Sequence, residues 1–260
     1  MRDIKITLIQ TGLVWEDIDA NISLFNEKIN AIGEKTDLVI LPEMFTTGFT
    51  LNASKLGQGM DGTSVKWLQE KSNKIDADIT GSIIVKFEGK YYNRLFWAKP
   101  DGELLTYDKR HLFRFAQEEK VYTAGDNHIT VELNGWKIRP FICYDLRFPA
   151  WTRNIGKQYD LAIFIANWPE KRSSHWKSLL QARSIENQCY VIGVNRVGTD
   201  GNGLSYSGDS SIIDPLGRII FQKHDEECTY TTDLSYHTLK EFRETFPAWM
   251  DADMDMIKFP

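Results

Sequence analysis

Cys143 follows the apolar run Trp136–Ile142 and opens the segment Cys143-Tyr144-Asp145-Leu146-Arg147-Phe148-Pro149. A strand that ends on a cysteine and then turns sharply leaves the thiol exposed at a sheet edge, where it can act as a nucleophile. Two other segments end on a charged group in the same way. One is Asp37-Leu38-Val39-Ile40-Leu41-Pro42-Glu43, and the other is Leu104-Leu105-Thr106-Tyr107-Asp108-Lys109. A thiol to attack, a carboxylate to move protons and an ammonium to hold developing negative charge suit the hydrolysis of an amide. Taken singly, each has a plainer reading. A cysteine in an apolar run is ordinarily a small core residue, and Cys189 and Cys228 receive that reading. Glu43 alone would be a solvated loop residue, and Lys109 alone an exposed turn. Three such groups at three strand ends reverse those odds.

The elements that must carry them follow from periodicity. Residues 4–10 alternate and predict a strand; residues 19–32 place Ile22, Phe25, Ile29 and Ile32 at helical spacing. Residues 38–41 form a short apolar run, as in a strand buried on both faces. The plan returns at 137–142, with a short helix near 149–156 and a strand through 159–167. Asp160-Leu161-Ala162-Ile163 faintly repeats Asp37-Leu38-Val39-Ile40, which suggests two related halves. Between the halves, Glu88-Gly89-Lys90 and Pro100-Asp101-Gly102 punctuate strands near 79–87, 91–99 and 103–108. Asn134-Gly135 turns 128–133 into 136–142. Further on, Ser173 or Ser174 is expected to cap a helix carrying Trp176, Leu179, Leu180 and Ile185. A strand at 190–197 and a hairpin turned by Asp214-Pro215-Leu216-Gly217 complete an α/β pattern of mixed sheets covered by helices.

Bulk properties exclude several classes. The 260 residues are 42% hydrophobic and 26% charged, as expected of a soluble globular protein with a full core. The net charge of -5, without a basic cluster, argues against nucleic acid as a partner. No stretch approaches the roughly 18 apolar residues of a membrane helix, and Met1–Leu8 contains no signal core. Three widely spaced cysteines disfavour a disulfide framework and point to the cytoplasm. No Pro/Ser linker divides the chain, so residues 1–260 are read as one domain. Residues from about 237 to 260 are a candidate arm at a subunit interface.

With Leu41-Pro42-Glu43-Met44-Phe45, Tyr107-Asp108-Lys109-Arg110-His111-Leu112-Phe113 and Ile142-Cys143-Tyr144-Asp145-Leu146-Arg147-Phe148-Pro149, the chain closely resembles the nitrilase (carbon–nitrogen hydrolase) superfamily. Asn167-Trp168-Pro169, His175-Trp176, Ala182–Gln188 and Val194–Gly198 extend the likeness over nearly the whole length. Lys109–Arg114, Asn167–Arg172 and Arg243–Pro247 resemble the omega-amidase branch, in particular bacterial 2-oxoglutaramate amidases. The resemblance implies a four-layer α-β-β-α sandwich with two pseudo-symmetric halves, a homodimer and no cofactor. It also implies release of ammonia from a small 2-oxo acid amide, 2-oxoglutaramate or 2-oxosuccinamate. Many family members carry Glu after the Phe-Pro, where this chain has Ala150.

Under that resemblance Cys143 attacks the amide carbon, its thiolate favoured by Lys109 and by a helix starting just beyond it. Glu43 moves the protons, and Lys109 with the backbone N–H of Tyr144 holds the oxyanion. Glu118, by its spacing to Gly125, is the second glutamate and orients Lys109 or the substrate, with Glu119 the alternative register. Arg147 and Arg172 are candidates for a substrate carboxylate, although Arg147 could equally pair with Asp145. Phe45, Tyr144 and Trp168 are candidate pocket walls. His111 and His175 would serve a Cys-His hydrolase, but hydrogen-bonded structural roles are expected of both. No Cys/His pair has metal-ligand spacing. Gly57-Gln58-Gly59-Met60-Asp61-Gly62 follows no convincing strand and is read as a loop before a helix at 63–74. The rival readings are another amide, an N-carbamoyl compound or a nitrile as substrate, and a non-catalytic scaffold that retained the fold.

Overall fold

The computed structural model describes residues 1–253. The strands are β1 (Ile4–Gln10), β2 (Leu38–Ile40), β3 (Asp78–Phe87), β4 (Lys90–Ala98) and β5 (Leu104–Asp108), then β6 (Val131–Leu133), β7 (Trp136–Ile142), β8 (Leu161–Ala166), β9 (Tyr190–Asn195), β10 (Val197–Thr199), β11 (Ser205–Ile213), β12 (Ile219–His224) and β13 (Cys228–Leu234). One sheet has the order β13-β1-β2-β3-β4-β5. The other runs β10-β11-β9-β8-β7-β6, with β12 also paired to β11.

Alternation of side chains explains why the sheets stack. Ile4, Ile6 and Leu8 of β1, Leu38 and Ile40 of β2, and Leu95 and Trp97 of β4 pack with Ile138, Phe141, Ile163 and Ile165 of the second sheet. The intervening residues Ile9, Val39, Phe96 and Ala98 face the other way, onto Phe25 and Ile29 of the helix Ile18–Asn30 and Val65 and Leu68 of the helix Thr63–Ile75. Trp176 and Leu180 of the helix Ser173–Asn187, with Leu239 of the helix Tyr236–Thr245, join the second sheet. A period of two in strands beside a period of 3.6 in helices gives the four-layer α-β-β-α sandwich.

The faint internal repeat is a structural equivalence. Asp37 donates its N–H to Lys5 O at 2.8 Å and accepts Lys5 N–H on Oδ2 at 2.8 Å. Asp160 does the same to Lys137, at 2.7 Å and 3.0 Å. Each aspartate thus locks a parallel strand pair, β1 with β2 and β7 with β8, in matching register.

Several local expectations are corrected. The helix near 149–156 is only Pro149–Thr152, followed by a 3-10 turn at Ile155–Lys157. Neither Ser173 nor Ser174 caps the next helix: a 3-10 turn at Glu170–Arg172 leads straight into it, and Ser173 Oγ instead donates to Asp209 Oδ2 at 2.8 Å. Ile185 is exposed rather than on its buried face. The strand expected from 128 begins at Val131, and β13, which crosses to the first sheet, was not legible as a strand. In the segment read as a candidate arm, Arg243 is buried and donates to Asp160 Oδ1, Tyr159 O and Gln188 O, which leaves that reading untouched. Residues 254–260 of the arm lie outside the described residues.

Candidate active site

Cys143 is the first residue after β7 and has φ +45. That left-handed conformation is costly for a residue with a side chain, and it breaks the strand so that the thiol leaves the sheet at its end. A 3-10 turn, Cys143–Arg147, follows. Asp145 holds it from behind: the fully buried carboxylate accepts from Ile142 N (3.1 Å), Tyr107 Oη (2.7 Å) and His111 N (2.9 Å), and contacts His111 Nδ1 at 2.8 Å. His111 also stacks on Phe148 at 3.7 Å, so its role is structural. Arg147 does not pair with Asp145; its Nη2 meets His175 Nδ1 at 3.0 Å.

Glu43 lies three residues beyond β2 and is fully buried. Its Oε1 accepts from Asn93 Nδ2 (2.7 Å) and Lys109 Nζ (2.9 Å), and its Oε2 accepts from Asn167 N–H (2.7 Å). Lys109 is one residue past β5; its N–H donates to Asn93 O, and its carbonyl accepts from Gly125 N–H, both at 3.0 Å. Glu118 meets Lys109 Nζ with both oxygens at 3.0 Å and accepts Phe113 N–H on Oε2. The register question falls to Glu118, since Glu119 turns toward Arg114. The structure therefore brings Glu43, Lys109 and Glu118 into one hydrogen-bonded cluster, and Cys143 lies near enough to feel the charges of all three.

Burial first, and then the negative charge of Glu43, push the Cys143 thiol well above its ordinary range; Lys109 opposes this and does not prevail. Burial lowers the Lys109 pKa, but Glu118, Glu43 and Cys143 outweigh it and leave the ammonium more firmly protonated than usual. Burial raises Glu118 despite Lys109. Lys109 thus favours the thiolate, as expected, while burial and the two carboxylates work against it. Nor is the turn after Cys143 long enough to act as a helix dipole; it is five residues of 3-10 helix.

Cys143, Lys109 and Asn167 lie on a cavity of about 180 Å³ whose apolar walls include Phe49, Phe113, Tyr144, Trp168 and Tyr206. Arg147, Lys171 and Arg172 add positive charge to it. The Arg147 guanidinium lies 4.8 Å from the Trp168 ring and that of Arg172 5.2 Å from the Phe113 ring. Phe45 does not line the cavity. It is fully buried, with its ring 5.4 Å from that of Phe25 and 5.7 Å from that of Trp67. Phe49 takes the wall position, beyond a turn at Gly48 with φ +73. Asn93 and the positioning role of Asn167 escaped the sequence reading. The available signal for Asn93 was a polar residue just before the apolar run Leu95-Phe96-Trp97 of β4.

A strand-end thiol stands beside a buried lysine that two carboxylates share. The sequence profile described as Carbon-nitrogen hydrolase matches residues 5–244. The chain belongs to the carbon-nitrogen hydrolase family. It is a hydrolase acting on carbon–nitrogen bonds. Among curated relatives, the omega-amidase YafV of Escherichia coli K12 is 47% identical over 254 residues, covering 97% of this chain and 98% of that protein. The 2-oxoglutaramate amidase of Bacillus subtilis is 33% identical, covering 96% and 98% of the two chains. Among solved structures, a CN-hydrolase superfamily protein from Xanthomonas campestris, with an arsenic adduct in its active site, is 45% identical. It superposes with a TM-score of 0.95 over 97% of this chain and 98% of that one.

Proposed function

We propose that this hydrolase is an omega-amidase that converts 2-oxoglutaramate or 2-oxosuccinamate to the 2-oxo acid and ammonia through a thioester on Cys143. The observation that carries the catalytic assignment is the buried Glu43–Lys109–Glu118 cluster, with Glu43 Oε1 2.9 Å from Lys109 Nζ, beside a cavity that Lys109 and Cys143 both line. Near-full-length identity of 47% to an omega-amidase supports the substrate class.

The chemistry follows from the protonation states. Burial and the charge of Glu43 favour the protonated thiol, so Glu43 takes its proton as Sγ bonds to the amide carbon. The carbonyl electrons move onto oxygen, which meets Lys109 Nζ and the N–H of Tyr144. That N–H lies in the first turn of a 3-10 helix and has no acceptor within it. Glu43 passes the proton to nitrogen, the C–N bond breaks and ammonia leaves. Water, deprotonated by Glu43, then cleaves the thioester to the acid and the free thiol. The apolar walls suit the substrate's methylenes. Among the described residues, neither Arg147 nor Arg172 is paired with a carboxylate, so both guanidiniums are available to the substrate's own.

Two further parts of the proposal concern setting. Exposed Ile185 lies against Gly217, next to exposed Leu216, an apolar surface suited to a homodimer. Three free cysteines fit a reducing cytoplasm. The substrate is tested by ammonia release from 2-oxoglutaramate, glutamine, a simple aliphatic amide and a nitrile. Turnover is expected to favour the 2-oxo acid amide; preference for glutamine or a nitrile would overturn the substrate class.

A further inference from the structure

Asn167 is tied to Glu43 at two points. Its N–H donates to Glu43 Oε2 at 2.7 Å, and its Nδ2 donates to the Glu43 carbonyl oxygen at 2.6 Å. The second bond fixes the amide orientation, because a carbonyl oxygen accepts only from the NH2 side of the carboxamide. Oδ1 is then directed elsewhere. It is buried and has no hydrogen-bond partner among the described residues, although Asn167 is only 6% exposed and forms part of the cavity wall with Cys143 and Lys109. A buried acceptor without a donor is unfavourable and calls for a partner that arrives later. Asn93 also has an unpartnered Oδ1, but it is not part of the cavity wall.

We propose that Asn167 Oδ1 accepts a hydrogen bond from the NH2 group of the scissile amide, making Asn167 the residue that selects a primary amide and aims its nitrogen at Glu43. This rests on the reading of the site as a Cys143 amidase. The partners at the reacting carbon are complementary. Lys109 and the Tyr144 N–H are donors and suit the carbonyl oxygen; Asn167 Oδ1 is an acceptor and suits only the nitrogen side. With one N–H held by Oδ1, the nitrogen lone pair that forms in the tetrahedral adduct is turned toward the proton carried by Glu43. The carboxamide shares its backbone with the Glu43 anchor, so acceptor and proton donor keep a set separation. An ester has no N–H at this position and gains nothing from Oδ1.

The test compares 2-oxoglutaramate with its methyl ester at the same terminal carbonyl, in the wild type and in Asn167→Ala. Loss of the Nδ2 bond to Glu43 slows both substrates alike. Loss of Oδ1 slows the amide alone, so the amide-to-ester ratio of kcat/KM is expected to fall about 10- to 100-fold. An unchanged ratio overturns the inference. Ester turnover also reports that the variant is folded. Should Asn167→Ala not fold, Asn167→Asp retains an acceptor at this position and lacks the NH2 donor; both rates then fall while the ratio is kept, and a ratio that collapses overturns the proposal. Wild-type protein with no turnover of either substrate defeats the amidase reading itself, which is a different outcome from an unchanged ratio.

Discussion

Glu118 grips Lys109 Nζ with both carboxylate oxygens at 3.0 Å, in a site where the two side chains are at most 1% exposed. Glu43 shares the same ammonium, so two carboxylates lean on one cation. Lys109→Met therefore leaves two buried acids without a counter-ion and is expected to destabilise the fold by about 3–5 kcal/mol. Glu118→Gln removes one negative charge from a cluster with an excess of it, so its stability cost is expected to be smaller. Both variants lose ammonia release by at least about a hundredfold, because the lysine is absent or misplaced as an oxyanion donor. Chemical denaturation beside turnover checks the pair. Equal stability losses in the two variants would contradict the shared-ammonium picture.

Cys143 separates function from stability. Cys143→Ala is expected to retain the fold and release no ammonia. Cys143→Gly is equally inactive but gains about 1 kcal/mol over the alanine variant, since glycine alone adopts φ +45 without strain. Thermal melts of the two variants decide this. A glycine variant less stable than the alanine one would show that the turn is not strained.

The resting thiol is expected to be sluggish toward iodoacetamide. Burial and Glu43 hold its pKa well above the free-cysteine range, so at pH 7 its alkylation is slower than that of a small thiol and quickens as pH rises past 9. Ultraviolet difference spectra between wild type and Cys143→Ala measure the thiolate directly. A thiolate band already present at pH 6 would reject the protonated resting state.

Asp78 links stability to pH. Burial holds its carboxyl up at about 6, from an ordinary 3.8, even though Trp97 Nε1 donates to it at 2.6 Å. Between those values the folded protein keeps a proton that the unfolded chain has released, so the group's contribution falls as pH rises from about 4 to 6. Asp78→Asn removes this loss. Its stability relative to wild type is expected to climb through that interval, by about 3 kcal/mol, and to level off above pH 7. A difference that is flat from pH 4 to 7 would contradict the raised pKa.

Local sequence was enough to place Glu43, Lys109 and Cys143 at strand ends, because an apolar run followed by a turn acts over a handful of neighbours. The same reasoning gave the layered α/β class and found in Asp37 and Asp160 the trace of the duplicated strand pair. What it could not give depends on contacts between distant parts of the chain. Asn93 and Asn167 reach Glu43 across 50 and 124 residues, and no local pattern encodes that approach. Phe45 and Phe49 are both aromatic and four residues apart, yet only the packing of Phe25 and Trp67 sends the first into the core and leaves the second for the cavity. The electrostatic balance on the thiol is likewise a property of the assembled site: Lys109 favours a thiolate, and burial with Glu43 and Glu118 pulls the other way.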